Sequence, residues 1–595
     1  MLERNEIDVK DTWRLEDMFE SDEAWESEYE VTKASLKQVP DFAGKISQSP
    51  DNLLSCLKLI DKVGNSVERL YVYSNQKYHQ DMSVSKYQEY AGKAETLFME
   101  FGSNTAFIEP EILEMDEVVI KEWLEMESLS NYKRFLSEIL RKKEHTLDKN
   151  TEEILAKSRR MAQAADNIYT MFNGADIDFP VVKDSEGKEI KLTHGNFVPI
   201  QTGTDRELRE RAFKAFYGTY DKMKNTLAAT FNANVSQAVF YADVRHYNST
   251  REMYLNGSNI PEEVYDNLIE TVHKNMDLMY RYVALRKKML GVDELHMYDV
   301  YVPIVDVPDR DIPFEEAKEI VAEGLSVMGE DYIRTLREGF DNRWIDVYEN
   351  KGKKSGAYSW GAYGTHPYVL LNYQGNLDHV FTLAHEMGHA LHSYYSNKNQ
   401  TYINADYRIF VAEVASICNE ALLIRHLINK TEDKKEKAYL INHFLEQFKG
   451  TLYRQTMFAE FEKITHRKVE EGETLTSESL SDIYYELNKL YFGEEMISDE
   501  EIALEWARIP HFYTPFYVYQ YATGLSAAIA LSAKILREGE KGVNDYMKFL
   551  TGGCTKDPID LLKMAGVDMT TPKPVEDALQ LFKELLDEME KLALS

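Results

Sequence analysis

The sequence predicts a mainly α protein with one small β-sheet placed directly before a helix that carries a metal-binding pattern. Three observations lead there. Apolar residues recur at three- and four-residue spacing over most of the chain, as in 205–222 (DRELRERAFKAFYGTYDK) and 574–594. The stretch 340–376 instead alternates β-formers with glycines, in SGAYSWGAYG and PYVLLNY. His385-Glu386-Met387-Gly388-His389 then follows within ten residues, as H-E-x-x-H.

Length and composition bound what this chain does. Its 595 residues and 44% hydrophobic content suffice for a large core and exceed one small domain. The expected division is an N-terminal helical lobe over 1–200 with a hairpin near its end, then a helical body over 201–595. A net charge of -32 argues against nucleic acid or an anionic membrane surface as partner. Cys56, Cys418 and Cys554 are far apart and odd in number, which points to a reducing compartment. The first residues show no apolar signal region, and no apolar run reaches the roughly 18–20 residues of a membrane span. A cytoplasmic location is expected, with no membrane and no obligate protein partner.

The elements follow in order. Residues 176–203 read as a hairpin turning at DSEGKE. Residues 291–314, with Pro303, Pro308 and Pro313, read as an irregular connector. After the sheet, Val380, Leu383, Ala384, Met387 and Leu391 mark a helix that Asp378 or Asn376 can cap. A polar loop over 393–405 and a return helix over 406–427 complete the region.

On the motif helix His385 and His389 lie one turn apart, so both imidazoles point the same way, as two zinc ligands require. Glu386 is offset by one position, where its carboxylate reaches water rather than the metal. The bland alternative is a helix with two polar-face histidines. Burying two imidazoles and a carboxylate without partners is costly, and that favours a metal. A catalytic zinc needs a third protein ligand and an open position. The metzincin extension would place a glycine and a histidine where this chain has His392 and Tyr395, so it is absent. Glu413 and Glu420 share a face of the return helix among apolar neighbours. Glu413, 24 residues after His389, is assigned as third ligand to a single Zn²⁺, the alternative being a helix-face carboxylate paired with Arg or Lys. Glu420 is either a partner that orients a ligand histidine or a carboxylate paired with Arg or Lys. His392, His379 and His366 are set aside as ligands.

These residues resemble a known family. SGAYSWGAYGTHPYVLLNYQGNLDHVFTLAHEMGHALH followed by FVAEVASICNEALL is similar to oligoendopeptidase F, a branch of the thimet-oligopeptidase-like zinc peptidases. WRLEDMF, DRELRERAFKAFY, NSTREMYLNGSNIPEEVYDNLIETV, RIPHFYTPFYVYQYATG and GGCTKDPIDLLKMAGVDM extend the resemblance over nearly the whole chain. It implies a large two-lobed helical fold around a deep substrate channel, with zinc on the channel floor. It implies a metalloendopeptidase that cuts internal bonds of oligopeptides by metal-activated water, and it maps His385, Glu386, His389 and Glu413 onto the family's ligands and base.

Two further segments complete the expected site. SGAYSWGAYG can bind an extended peptide along its main chain, with Gly356, Ala357 and Tyr358 as contact residues and Gly356 and Gly361 admitting close approach. The alternative is a structural hairpin with glycines at its bends. HFYTPFYVYQYATG supplies hydrogen-bond donors for an oxyanion. The resemblance implies a histidine and tyrosines from such a segment, although in thimet oligopeptidase the tyrosines lie further from the histidine. His511 and Tyr517 are the catalytic candidates and Tyr513 and Tyr519 contact substrate, with an aromatic core helix as the alternative for at least two of the four tyrosines. Three rival functions fit less well. A zinc aminopeptidase would carry G-x-M-E-N upstream, an inactive peptide binder would have lost Glu386 or a ligand, and a structural metal site would want a fourth ligand.

Overall fold

Helices occupy 72% of the chain, as the apolar spacing predicts. The structure is a computed structural model and describes residues 2–306 and 310–593. Among the described residues, strands β1 (Val181–Lys183) and β2 (Glu189–Lys191) form an antiparallel hairpin, and β3 (Leu295–His296) pairs in parallel with β7 (Met496–Ile497). Strands β4 (Ile345–Asp346), β5 (Tyr358–Trp360) and β6 (Tyr368–Leu370) form a sheet in the order β4-β6-β5, directly before the motif helix as expected.

The chain divides into two compact units, each assembled from three separate stretches. One comprises Met1–Glu144, Asp309–His426 and Leu531–Val567, and the other His145–Pro308, Leu427–Ala530 and Asp568–Ser595. The expected boundary at 200 therefore falls inside the second unit. The reason is long-range packing. The C-terminal helix Lys573–Ala593 returns to pack against helix Met276–Leu290, and no local change in composition announces that contact.

In the first unit the sheet is held by residues far away in sequence. The N-terminal residues Trp13, Leu15 and Trp25 share a core with Tyr73, Tyr90, Tyr368 and Leu370. The indole N–H of Trp13 donates to the Val369 carbonyl at 2.7 Å. Asp346, fully buried on β4, is held by Lys353 at 2.7 Å and by Arg4 Nη1 at 2.9 Å, so its charge is paired rather than orphaned. This framework fixes the sheet from which the motif helix departs.

Local expectations meet tertiary corrections at three places. The hairpin forms with its turn at 184–188, but 194–201, which were included in it, form a helix capped by Thr193. The polar loop at 393–405 is absent: the motif helix runs on to Asn399 and a short helix, Tyr402–Ala405, follows. The return helix spans Ile409–Lys430. The connector is mostly irregular around Pro303 and Pro313, and Pro308 lies outside the described residues. No helix among the described residues is long and apolar enough to cross a membrane.

Candidate metal centre

The motif helix, Leu377–Asn399, starts at Asn376, whose side chain accepts the His379 N–H at 2.9 Å. Of the two capping candidates Asn376 fills the role, and Asp378 sits in the first turn, where its charge favours the helix dipole. The helix buries Val380, Leu383, Ala384, Met387 and Leu391, and that burial fixes its rotation. His385 and His389 consequently face the same way as Glu413 on the return helix.

Three atoms converge there. His385 Nε2 and His389 Nε2 are 3.2 Å apart, and Glu413 Oε2 lies 3.4 and 3.5 Å from them. A tetrahedral zinc with bonds of about 2.0–2.1 Å needs ligand atoms about 3.3–3.4 Å apart, so this triangle fits one face of the tetrahedron. The donor set, two imidazoles and a carboxylate, is the one zinc favours and leaves a fourth position for water or substrate. Among the described residues this is the one group of three histidine, cysteine or acidic side chains placed to hold a metal ion.

The second carboxylate of the return helix turns to the other ring nitrogen. Glu420 Oε1 lies 2.6 Å from His385 Nδ1, so it can hold a proton there while Nε2 is the nitrogen that faces the triangle. Burial disfavours a charged His385, but Glu413 and Glu420 outweigh it and raise its pKa to about 10. Burial also works against an ionised Glu413, and contacts with the two histidines reverse that and pull its pKa well below the usual range. The two carboxylates therefore favour a positive charge at His385, and a cation on Nε2 would take the place of a proton there. Glu386 is buried, and burial raises its pKa, opposed by His385 and His389.

Several residues that sequence reasoning passed over set this geometry. A Cβ on Gly388 would lie 2.5 Å from Ser416 Cα and 2.8 Å from the Ala415 carbonyl oxygen, so only glycine lets the two helices approach this closely. Ser416 Oγ donates to Glu413 Oε2 at 3.2 Å and steadies the carboxylate. Asn419 donates to the Ala384 carbonyl at 3.1 Å and accepts the Tyr332 hydroxyl at 2.8 Å. The one available signal was that Gly388, Ser416 and Asn419 are small or polar inside otherwise apolar helices.

The three other histidines have structural places. His392 is buried and stacks on Tyr407 at 3.8 Å, and burial lowers its pKa to about 3. It belongs to the core and not to the surface. His379 accepts the Gln374 N–H in the first helical turn. His366 stacks on Trp344 and bonds to Asp17.

Strand β5 is an edge strand: among the described residues it pairs with β6 alone. Gly356, just before it, has φ +87 and open space where a Cβ would be. The close approach at Gly361 is internal, with Pro367 Cα 3.3 Å from where a Cβ would sit, so the tight contact is within the hairpin itself. The Tyr358 hydroxyl is bonded to His79 Nδ1 at 2.8 Å, which turns its side chain into the first unit and leaves its main chain at the edge. Ala357 is exposed between them.

His511, Tyr513, Tyr517 and Tyr519 belong to the second unit. His511 is exposed and its ring runs parallel to that of half-buried Tyr517 at 6.2 Å; Tyr521 faces both, at 6.1 and 5.6 Å. Tyr519, expected to contact substrate, is instead 3% exposed and packs on Tyr265. Tyr513 stacks on Tyr169 at 4.2 Å. Tyr519, at the start of a helix, thus lies in the aromatic core, as the alternative held, whereas Tyr513 is half-buried.

Comparison with known proteins gives the family. Residues 200–581 match the model of peptidase family M3, and residues 111–179 match that of oligopeptidase F. Oligopeptidase PepF of Bacillus subtilis is 49% identical over 593 residues, covering 100% of this chain and 88% of that protein. Crystal structures of a Chlamydophila abortus protein and of oligoendopeptidase-F from Enterococcus faecium are each 35% identical. They give TM-scores of 0.93 and 0.75 and cover 99% and 96% of this chain, and 100% and 99% of their own. The chain belongs to peptidase family M3, in its oligopeptidase F branch: it is a peptidase, of the metalloendopeptidase class that its sequence resemblance implied.

Proposed function

We propose that this protein is a zinc-dependent endopeptidase that hydrolyses internal bonds of short oligopeptides. The observation that carries the reading is the triangle of His385, His389 and Glu413, with edges of 3.2, 3.4 and 3.5 Å and a buried carboxylate one residue along. Those three residues would hold the ion, and Glu420 would keep His385 in the tautomer that ligation needs. When bound, zinc supplies Lewis acidity that acidifies water and polarises a carbonyl. Glu386 takes the proton of the attacking water and passes it to the leaving amine. Its raised proton affinity suits both halves of that task. The substrate main chain adds to the free edge of β5 at Gly356, Ala357 and Tyr358, which reads backbone rather than side chains and tolerates varied sequences.

His511 and Tyr517 donate to the oxyanion. The resemblance, the exposure of His511 and the pairing of the two rings support this role. The family resemblance also favours a channel that admits oligopeptides and keeps folded proteins out.

Mass spectrometry of a blocked oligopeptide mixture and a folded protein, with and without chelator, tests the reading. Internal cuts in the peptides that stop with chelator, and a folded protein left whole, are the expected results. Chelator-insensitive cutting would overturn the metal, release of terminal residues alone would overturn the endopeptidase, and ready digestion of the folded protein would overturn the channel.

A further inference from the structure

Phe516, in the segment between His511 and Tyr517, has φ 55, in the left-handed region. A bulky side chain avoids that region, and such a residue persists only where its surroundings over-determine it. Here they do. The Phe516 N–H donates to Glu462 Oε1 at 2.8 Å. Glu462 lies on helix Arg454–Glu470 and is fully buried, and its other oxygen, Oε2, is a buried atom with no hydrogen-bond partner. The Phe516 ring is enclosed by His466 at 4.6 Å, Tyr265 at 5.8 Å and Tyr254 at 6.1 Å. Burial raises the Glu462 pKa well above the ordinary carboxylate range.

A buried acid that makes one hydrogen bond, to a strained amide, contributes poorly to stability. A hydrophobic residue of the same size would pack there without an orphaned oxygen. Its single partner says what it does. The amide it holds belongs to the residue immediately before Tyr517, and the left-handed turn there sets the direction in which the chain leaves toward Tyr517 and Tyr521. Phe512 and Phe516 are both buried while His511 is exposed and Tyr517 half-buried, so the turn decides which side chains the segment presents.

We propose that Glu462 is the positioning residue of the His511–Tyr521 segment: its Oε1 anchors the Phe516 amide and thereby fixes the turn that presents Tyr517 beside His511. The proposal rests on the reading that this face takes part in peptide hydrolysis. Glu462 itself touches no substrate and transfers no proton.

The test uses the full-length, zinc-loaded protein, its Glu462→Met and Glu462→Gln variants, and each change combined with Tyr517→Phe. Met keeps the shape but loses the acceptor, whereas Gln keeps the acceptor. On an internally quenched oligopeptide, Glu462→Met is expected to lower kcat by at least about tenfold, with KM within about threefold and unchanged metal content. Glu462→Gln is expected to stay within about threefold of the parent. In the Tyr517→Phe background the Met change is expected to cost less than about threefold, because both act through one group. Hydrogen exchange followed by mass spectrometry is expected to show faster exchange at 510–521 in the Met variant and no change in the motif helix. A Met variant with parental kcat, an equal loss in both backgrounds, or unchanged exchange at 510–521 would overturn the anchor. A silent Tyr517→Phe would overturn the role of this face, and the exchange measurement would still decide whether Glu462 holds the turn. Fast exchange of the Phe516 amide in the unmodified protein would overturn the anchor even if the Met variant failed to fold.

Discussion

Replacing Gly388 with alanine tests whether the approach of the two helices builds the metal site. The added Cβ would sit 2.5 Å from Ser416 Cα, 2.8 Å from the Ala415 oxygen and 2.9 Å from Ser416 N. Carbon atoms prefer separations of about 3.5–4.0 Å, so the return helix must retreat by about 1–1.5 Å. All three clashing atoms are backbone, and no side chain can swing aside. Glu413, one turn before Ser416, moves with the helix. Its Oε2 now lies 3.4 and 3.5 Å from the two imidazole nitrogens, close to the tetrahedral edge, and a retreat of that size takes it out of range. Overpacking costs about 1–3 kcal/mol, and the better helix propensity of alanine returns about 1 kcal/mol, so the net loss of stability is about 0–2 kcal/mol. The variant should therefore fold. Its zinc affinity, measured by competition with a chromophoric chelator, should fall by at least about tenfold. Its kcat/KM should fall by about a hundredfold, the usual consequence of a displacement of about 1 Å. A folded Gly388→Ala protein with parental zinc affinity and parental kcat/KM would refute the reasoning.

Glu386→Gln should keep its metal and lose about 10²–10⁴ in kcat, measured on the same peptide with metal content alongside. Burial raises the Glu386 pKa, and the base must be ionised to act, so kcat/KM should fall as pH drops through a value above the ordinary glutamate range near about 4.3. A pH profile whose acid limb lies at the ordinary value would count against it. Glu420→Gln should weaken zinc binding by about 10–100-fold with the fold intact, as read by chelator competition and circular dichroism. Burial lowers the His466 pKa to about 3, against about 6.5 when unfolded. Between those values the unfolded chain holds one more proton than the folded one. The His466 contribution is therefore complete above about pH 6.5 and lost as pH falls, by about 2 kcal/mol near pH 5. Thermal unfolding across that range should show a shallower acid limb in His466→Gln, and an unchanged limb would contradict the assignment.

Much of the catalytic half-site was legible because helical periodicity is local. His385 and His389 had to share a face whatever surrounded them, and the apolar residues between them required that face to be turned inward with a partner. The same rule put Glu413 and Glu420 on one face of the next helix. It could not say what that face meets. The contact between Glu420 and His385 Nδ1 decides between an orienting carboxylate and a surface ion pair, and that contact depends on how two helices cross.

What the sequence determined by itself is the chemistry available: two imidazoles one turn apart with a carboxylate between them, further carboxylates on the return helix, a glycine-punctuated strand before them, and a mainly helical setting. The tertiary structure alone decided the rest. It ends the polar loop by extending the motif helix to Asn399, divides the chain into units made of separated stretches, and buries Tyr519 while leaving His511 exposed. It also gives Gly388 and Glu462 their purpose. The physical reason is one of range. Hydrogen bonding along a helix repeats every few residues and can be read from the chain, whereas close packing pairs residues tens or hundreds of positions apart, and only the folded chain specifies those pairs.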